Sequence, residues 1–163
     1  MEITRIFQYA LQREIEGKQF FEVNAGRLAY ASAVEIFKRL AEEEQKHINY
    51  IQAHIEAIEG GTAPDSPKSV TVEESGFFSQ RAQSEMIEQT IAEAMVPDLP
   101  VLRMAYLIER DFAEFYEQAA SKTTGKEKEA LELLAKWERV HEQIFKDLHD
   151  QAFEQVMQMP WGG

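Results

Sequence analysis

The chain has 163 residues, 44% of them hydrophobic and 28% charged, which suits one domain over residues 1–163 with an apolar core that needs no disulfide or other staple. The formal net charge is −12 and the Lys and Arg residues do not cluster, which excludes nucleic acid as a partner because phosphate binding relies on a basic surface. There is no cysteine, so disulfides, thiol catalysis, iron–sulfur clusters and thiolate zinc sites are excluded together, and any metal must rest on nitrogen and oxygen ligands.

Scarce Gly and Pro, with charged residues interleaved among apolar ones, favour helices over strands, so the expected class is all-α. The first segment, from about Ile3 to Leu28, places Phe7, Ala10, Glu14, Gly17 and Phe21 on one stripe at three- and four-residue steps and predicts a long helix. It opens with Met1-Glu2-Ile3-Thr4-Arg5, which is amphipathic and unlike a signal peptide. No apolar run of roughly 20 residues follows anywhere, so no membrane span and a cytoplasmic location are expected. A second helix is expected from Ser32, with Glu35 completing a capping box and Ile36, Leu40, Glu44, His47, Ile51 and Ile55 inward, ending at Gly60-Gly61. Residues 60–84 carry Pro64 and Pro67 and few periodic apolar positions, which reads as a long crossover, with a short extra helix expected from Ser84 to Met95. A third long helix should begin near Asp98 or Leu99, with Pro100 in its first turn and Leu102, Ala105, Glu109, Phe112 and Tyr116 inward. After a second short turn, Thr124 to Glu127 offers another capping box. The fourth helix then runs to about Met157, with Leu131, Leu134, Glu138, His141, Phe145 and Leu148 inward. Two antiparallel hairpins joined by a long crossover is the ferritin-like four-helix arrangement.

The chain also repeats itself. The stripe Phe7, Ala10, Glu14, Gly17, Phe21 answers Leu102, Ala105, Glu109, Phe112, Tyr116, and Leu40, Glu44, His47, Ile51 answers Leu134, Glu138, His141, Phe145. In an antiparallel hairpin, residues equidistant from the turn lie at one level. The midpoint of positions 14 and 44 is 29 and that of positions 109 and 138 is 123.5, each inside a predicted turn. At a rise of ~1.5 Å per residue each carboxylate lies roughly 22 Å from its turn, so all four glutamates are expected in one layer.

Both Glu44-Gln45-Lys46-His47 and Glu138-Arg139-Val140-His141 are Glu-x-x-His, a spacing that points both side chains to one helix face. One copy would be weak evidence for a metal, since a glutamate on a polar face beside a partly buried histidine is the commoner arrangement. Two copies at equal positions of two repeats, each opposite a further inward glutamate, match the pattern of di-metal carboxylate bundles. Four ionised carboxylates in an apolar core are strongly unfavourable without compensating charge, which two divalent cations supply. Mixed O and N ligands suit two iron ions or manganese, with zinc allowed. The competing reading is a salt-bridged polar layer in the core.

These residues resemble the rubrerythrin-like branch of the ferritin-like di-iron proteins, through Glu14 with Gly17 and Phe20-Phe21, the run Ala41 to His47, Glu109 with Phe115-Tyr116, and Glu138 with His141. The resemblance implies that Glu14, Glu44, His47, Glu109, Glu138 and His141 are the metal ligands, with Glu44 and Glu138 bridging. It also implies an oxidoreductase that reduces peroxide or dioxygen. Two departures stand out. Typical rubrerythrins carry a C-terminal rubredoxin domain with four cysteines, and this sequence has none; they also place an extra glutamate where Phe112 stands. Electrons would then come from an external donor such as a rubredoxin or a flavin reductase. The six-ligand set is nearer to a ferroxidase centre, so iron storage is the competing function and a metal-stabilised helical scaffold a third. A homodimer is expected, since bundles of this type pair along helix faces.

Tyr116, one heptad after Glu109, is the candidate catalytic residue, either hydrogen-bonded to a ligand carboxylate or simply packed. His54, seven residues after His47 on the same stripe, lies about two turns away and is expected at the core edge or surface rather than as a ligand; His149 reads the same way.

Overall fold

The structure is a computed structural model that describes residues 3–29, 31–62 and 98–160, the side chain of Ser32 excepted. It contains four long helices: α1 (Ile3–Ala25), α2 (Ala31–Glu59), α3 (Leu99–Ser121) and α4 (Gly125–Met157), with no strand among the described residues. The sequence stripes face inward as expected, because each places an apolar residue every three or four positions and leaves the intervening charges in solvent. α1 buries Ile6, Phe7, Ala10, Glu14, Gly17, Phe21 and Ala25, and α3 buries Leu102, Ala105, Glu109, Phe112 and Tyr116. The ferritin-like four-helix bundle is thereby borne out. No described helix is long and apolar enough to cross a membrane.

Local endings differ in detail from the sequence reading. α1 stops at Ala25, and Leu28 reaches the core from the turn, with its N–H donating to Asn24 O at 3.1 Å. α2 begins at Ala31; the proposed Ser32 cap and the short helix over 84–95 both lie outside the described residues. Thr124 is the N-cap of α4 as expected, but its side chain makes no capping hydrogen bond, so the second capping box does not form. Gly125 follows at φ +68°, a left-handed conformation that glycine adopts without a Cβ clash. Thr123 Oγ1 instead donates back to Ala119 O at 2.8 Å, satisfying a carbonyl at the end of α3. Asp98 precedes α3 without capping it; its Oδ1 accepts from Ala29 N at 3.0 Å, which ties the start of the second hairpin to the turn of the first.

The core falls into two apolar clusters on either side of a charged layer. Toward the α1–α2 turn, Phe21, Phe37 and Phe145 pack ring on ring at centroid distances of 5.2 to 5.5 Å. Toward the α3–α4 turn, Phe7, Ile51, Phe112, Leu131 and Leu134 pack around Tyr116. Each large apolar side chain so buried contributes about 1.5–3 kcal/mol relative to exposure, and these clusters hold the charged residues between them out of water.

Candidate metal centre

Glu14, Glu44, Glu109 and Glu138 are all 0% exposed, and His47 and His141 are 3% and 7% exposed. The six residues that the repeat singled out are therefore brought together in one layer, one glutamate each from α1 and α3 and a Glu–His pair each from α2 and α4. Their polar atoms converge on two points. His47 Nδ1 lies 3.2 Å from Glu14 Oε2, 3.6 Å from Glu44 Oε2 and 2.8 Å from Glu138 Oε1. His141 Nδ1 lies 3.3 Å from Glu44 Oε1, 3.6 Å from Glu109 Oε2 and 3.6 Å from Glu138 Oε2. Glu14 thus faces His47 alone and Glu109 faces His141 alone, while Glu44 and Glu138 each turn one oxygen toward each histidine.

Few of these approaches are hydrogen bonds. Both oxygens of Glu44, Glu109 and Glu138, together with His141 Nδ1, are buried without a hydrogen-bond partner, even where a distance as short as 2.8 Å separates them from a neighbour. Buried polar atoms are satisfied in the great majority of cases, so seven orphans in one layer need a physical cause. Lone pairs that converge without pairing are what a metal cation requires, and the residues present fit such a group. Atoms of Glu44, His47, Glu138 and His141 all lie within 4.8 Å of one another, close enough to share an ion.

The ionisation pattern of the unliganded layer follows from the same crowding. Burial, reinforced by Glu138 and Glu44, raises the Glu14 carboxyl well above the usual carboxylate range, and burial with the same two neighbours raises Glu109. Burial works against ionised Glu44 as well, but the charge of His47 and the approach of Glu14 and His141 hold it low. Glu138, opposed by burial and by Glu44, is pulled down to about 2 by His47, Glu109 and His141. For both histidines burial disfavours the cation, yet the carboxylates around them raise the imidazoles well above their ordinary value. Glu14 and Glu109 are thus shifted toward the neutral acid, and Glu44 and Glu138 toward the anion, while both imidazoles are shifted toward the cation.

Beside this layer the Tyr116 hydroxyl donates to Glu14 Oε1, reaching from α3 to α1. Its own pKa is raised by burial and by Glu14, so the phenol stays a donor. Phe112, at the position where typical rubrerythrins carry a further glutamate, lies against the backbone of Gly17. A Cβ at Gly17 would stand 3.0 Å from Phe112 Cε2, and Arg13 lies 5.0 Å from the centroid of the same ring. His54 is buried rather than at the edge. Its ring stacks on Phe7 at 5.5 Å, and its Nδ1 lies 2.9 Å from Tyr50 O, so Nδ1 carries the proton that the carbonyl accepts. The periodicity that put His54 on the inward stripe was sound, and its buried place is explained by these partners without a metal. His149 sits at the edge, 3.1 Å from Asp150. Sequence reasoning passed over Trp137, whose indole stacks on His47 at 4.9 Å; its only signal was its place next to Glu138.

A bundle of two helical hairpins with a buried carboxylate and histidine layer is the architecture of the ferritin-like carboxylate proteins. The chain matches the family model described as Rubrerythrin over residues 5–149, and it belongs to the rubrerythrin family, whose members bind di-iron centres. Neither a curated protein nor a solved structure matches the chain.

Proposed function

We propose that this chain holds two iron or manganese ions and reduces peroxide or dioxygen with electrons from an external donor. The observation that carries the reading is the orientation of Glu44 and Glu138, each with one oxygen toward His47 and the other toward His141. In this reading Glu44 and Glu138 would each help to hold both ions. Glu14 with His47 would complete one ion's ligands, and Glu109 with His141 the other's. Bound iron would supply the two electrons that, with two protons, convert one peroxide to two waters.

The chain's own residues set the conditions for that chemistry. The apolar clusters above and below the layer exclude bulk water, which strengthens every charge interaction inside it. Tyr116, through its hydrogen bond to Glu14 Oε1, holds the other oxygen of that carboxylate toward His47. Glu14 and Glu109, the two carboxyls with raised pKa, are the groups that would take up or release protons as the charge of the layer changes. Phe112 fills the position beside Gly17 with an apolar ring, so no further carboxylate is offered there.

None of the 163 residues is a cysteine, so no thiolate iron centre can form on them and the electrons arrive from elsewhere, from a rubredoxin or a flavin reductase. A net charge of −12 favours docking to a positively charged face of that donor, an attraction that salt weakens. The same reading takes the chain as a single domain that works in the cytoplasm as a homodimer. The test is stopped-flow mixing of anaerobically reduced, iron-loaded protein with peroxide. About one peroxide should be consumed per pair of ions before the reaction stops, and a donor should restart it, faster at low salt. Sustained turnover without a donor would point to disproportionation. Iron retained far beyond two ions per chain, with a mass near that of a large cage, would point to storage.

A further inference from the structure

Outside the carboxylate layer, one group of aromatic side chains has no part in the mechanism above. Trp137 precedes Glu138 on α4, is 8% exposed, and lies face to face with His47 at 4.9 Å between ring centroids and 11° between planes. Its other neighbour is Tyr50 on α2, whose ring meets the indole edge to face at 5.3 Å and 68°. Tyr50 is only half-buried, so the series His47, Trp137, Tyr50 runs from the middle of the layer to the protein surface in ring contacts.

Two further observations set this group apart from ordinary packing. Trp137 Nε1 is buried without a hydrogen-bond partner, whereas a buried indole N–H usually finds one. The internal repeat also supplies a control. Aligning Glu44 with Glu138 places Glu43 opposite Trp137 and Ile144 opposite Tyr50, so the His141 side of the layer carries no oxidisable ring at either position. The aromatic series therefore stands in one half only, although apolar packing there could be met by other side chains.

We propose that Trp137 and Tyr50 form a one-electron relay between the surface and the His47 side of the metal centre; this rests on the di-metal reading above. With the centre oxidised, Trp137 gives up one electron toward His47 and becomes an indole radical cation. No base accepts its Nε1 proton, so the indole keeps that proton and recovers its electron from Tyr50. The phenol loses its proton to solvent in the same step and becomes a tyrosyl radical. Burial and Glu129 push the Tyr50 pKa up to about 12, so the resting phenol holds its proton until it is oxidised. A one-electron donor at the surface, of the class of ascorbate or a reduced metalloprotein, returns one electron and the solvent one proton, which restores Tyr50. Two such cycles match the two electrons taken by one peroxide.

The test uses full-length protein loaded anaerobically with Fe(II), exposed to excess peroxide without reductant, then digested and mapped by mass spectrometry, with iron measured on the same sample. Tyr9, 52% exposed, reports damage by peroxide in solution. The relay predicts oxidation products at Trp137 and Tyr50 about tenfold above those at Tyr9, the reverse of the order set by exposure, and their suppression by ascorbate. Trp137→Phe should lower products at Tyr50 about tenfold with iron content unchanged, and Tyr50→Phe, which keeps the ring, should raise products at Trp137. Freeze-quench EPR should show a tyrosyl signal that Tyr50→Phe removes. Iron bound with Tyr9 oxidised ahead of Tyr50, or with Tyr50 products unchanged in Trp137→Phe, would overturn the relay and leave the di-metal reading intact. A chain that takes up no iron would overturn both.

Discussion

The two halves of the buried layer match in their glutamates and histidines and differ in their surroundings. The half formed by Glu14 and His47 has the Tyr116 hydroxyl on its glutamate and the Trp137 indole on its histidine. At the repeat position of Tyr116 stands Phe21, which has no hydroxyl to offer, and at that of Trp137 stands Glu43. His47 Nδ1 is within hydrogen-bond distance of Glu14 at 3.2 Å, whereas His141 Nδ1 makes no hydrogen bond, its nearest carboxylate oxygen being Glu44 Oε1 at 3.3 Å. The internal repeat accounts for six inward polar side chains at matched heights. The side chains around them make one position supported and the other plain, a difference that substitutions can test.

The largest effect should come from residues that belong to both halves. Glu44→Ala or Glu138→Ala removes an oxygen from each convergence point and should leave well under one ion per chain, whereas Glu14→Ala or Glu109→Ala, each facing one histidine, should leave about one of two. Elemental analysis of chelator-free protein distinguishes these outcomes. Equal losses from all four variants would mean that no carboxylate is shared.

Next comes pH. The raised imidazole pKa values mean that, without metal, the folded state binds histidine protons more tightly than the unfolded one. That stability is fully present below the unfolded value near 6.5 and is lost as pH rises through the raised folded values. The raised Glu14 and Glu109 act with the same sign from a lower starting pH. Metal-loaded protein holds these groups deprotonated and escapes the loss. The gap in Tm between loaded and metal-free protein should therefore widen from pH 6 to pH 8, as scanning calorimetry would show. Binding two ions should release up to about four protons, read as a buffer-dependent heat in calorimetric titration.

Smaller again is Tyr116→Phe. Loss of the hydroxyl frees Glu14 Oε1 and should weaken metal on the His47 side by roughly tenfold while leaving the His141 side unchanged, which sequential Fe(II) titration would resolve. Least of all is Gly17→Ala. The new Cβ meets Phe112 Cε2 at 3.0 Å and Cζ at 3.3 Å, so the ring must shift. Crowding of that kind costs about 1–3 kcal/mol, and better helix propensity returns about 1. Denaturant unfolding should show a net loss of about 0–2 kcal/mol that Phe112→Leu relieves.

Much of this was legible in the sequence, for reasons that differ between fold and site. The helices could be read because their stripes are strict: Phe7, Ala10, Glu14, Gly17 and Phe21 leave one face of α1 no other place than the core. The charged layer could be read because Glu-x-x-His occurs twice and the turns lie midway between paired glutamates. What stayed hidden was set by contacts between elements. Nothing local to Trp137 shows that its ring will lie on His47 from the neighbouring helix, and nothing local to Gly17 shows that Phe112 fills the space above it. Thr124 and Glu127 carry the letters of a capping box, yet the bond does not form in the tight turn before Gly125. Asp98 likewise bonds a turn that is 69 residues away in sequence instead of its own helix.

The central claim, two ions shared across one duplicated layer, is tested most directly by native mass spectrometry of chelator-free protein after anaerobic addition of Fe(II). The account predicts a mass increase of about two iron ions per chain, less the mass of the displaced protons. A chain that remains metal-free, or that stops at one ion with Glu44 and Glu138 intact, would contradict it.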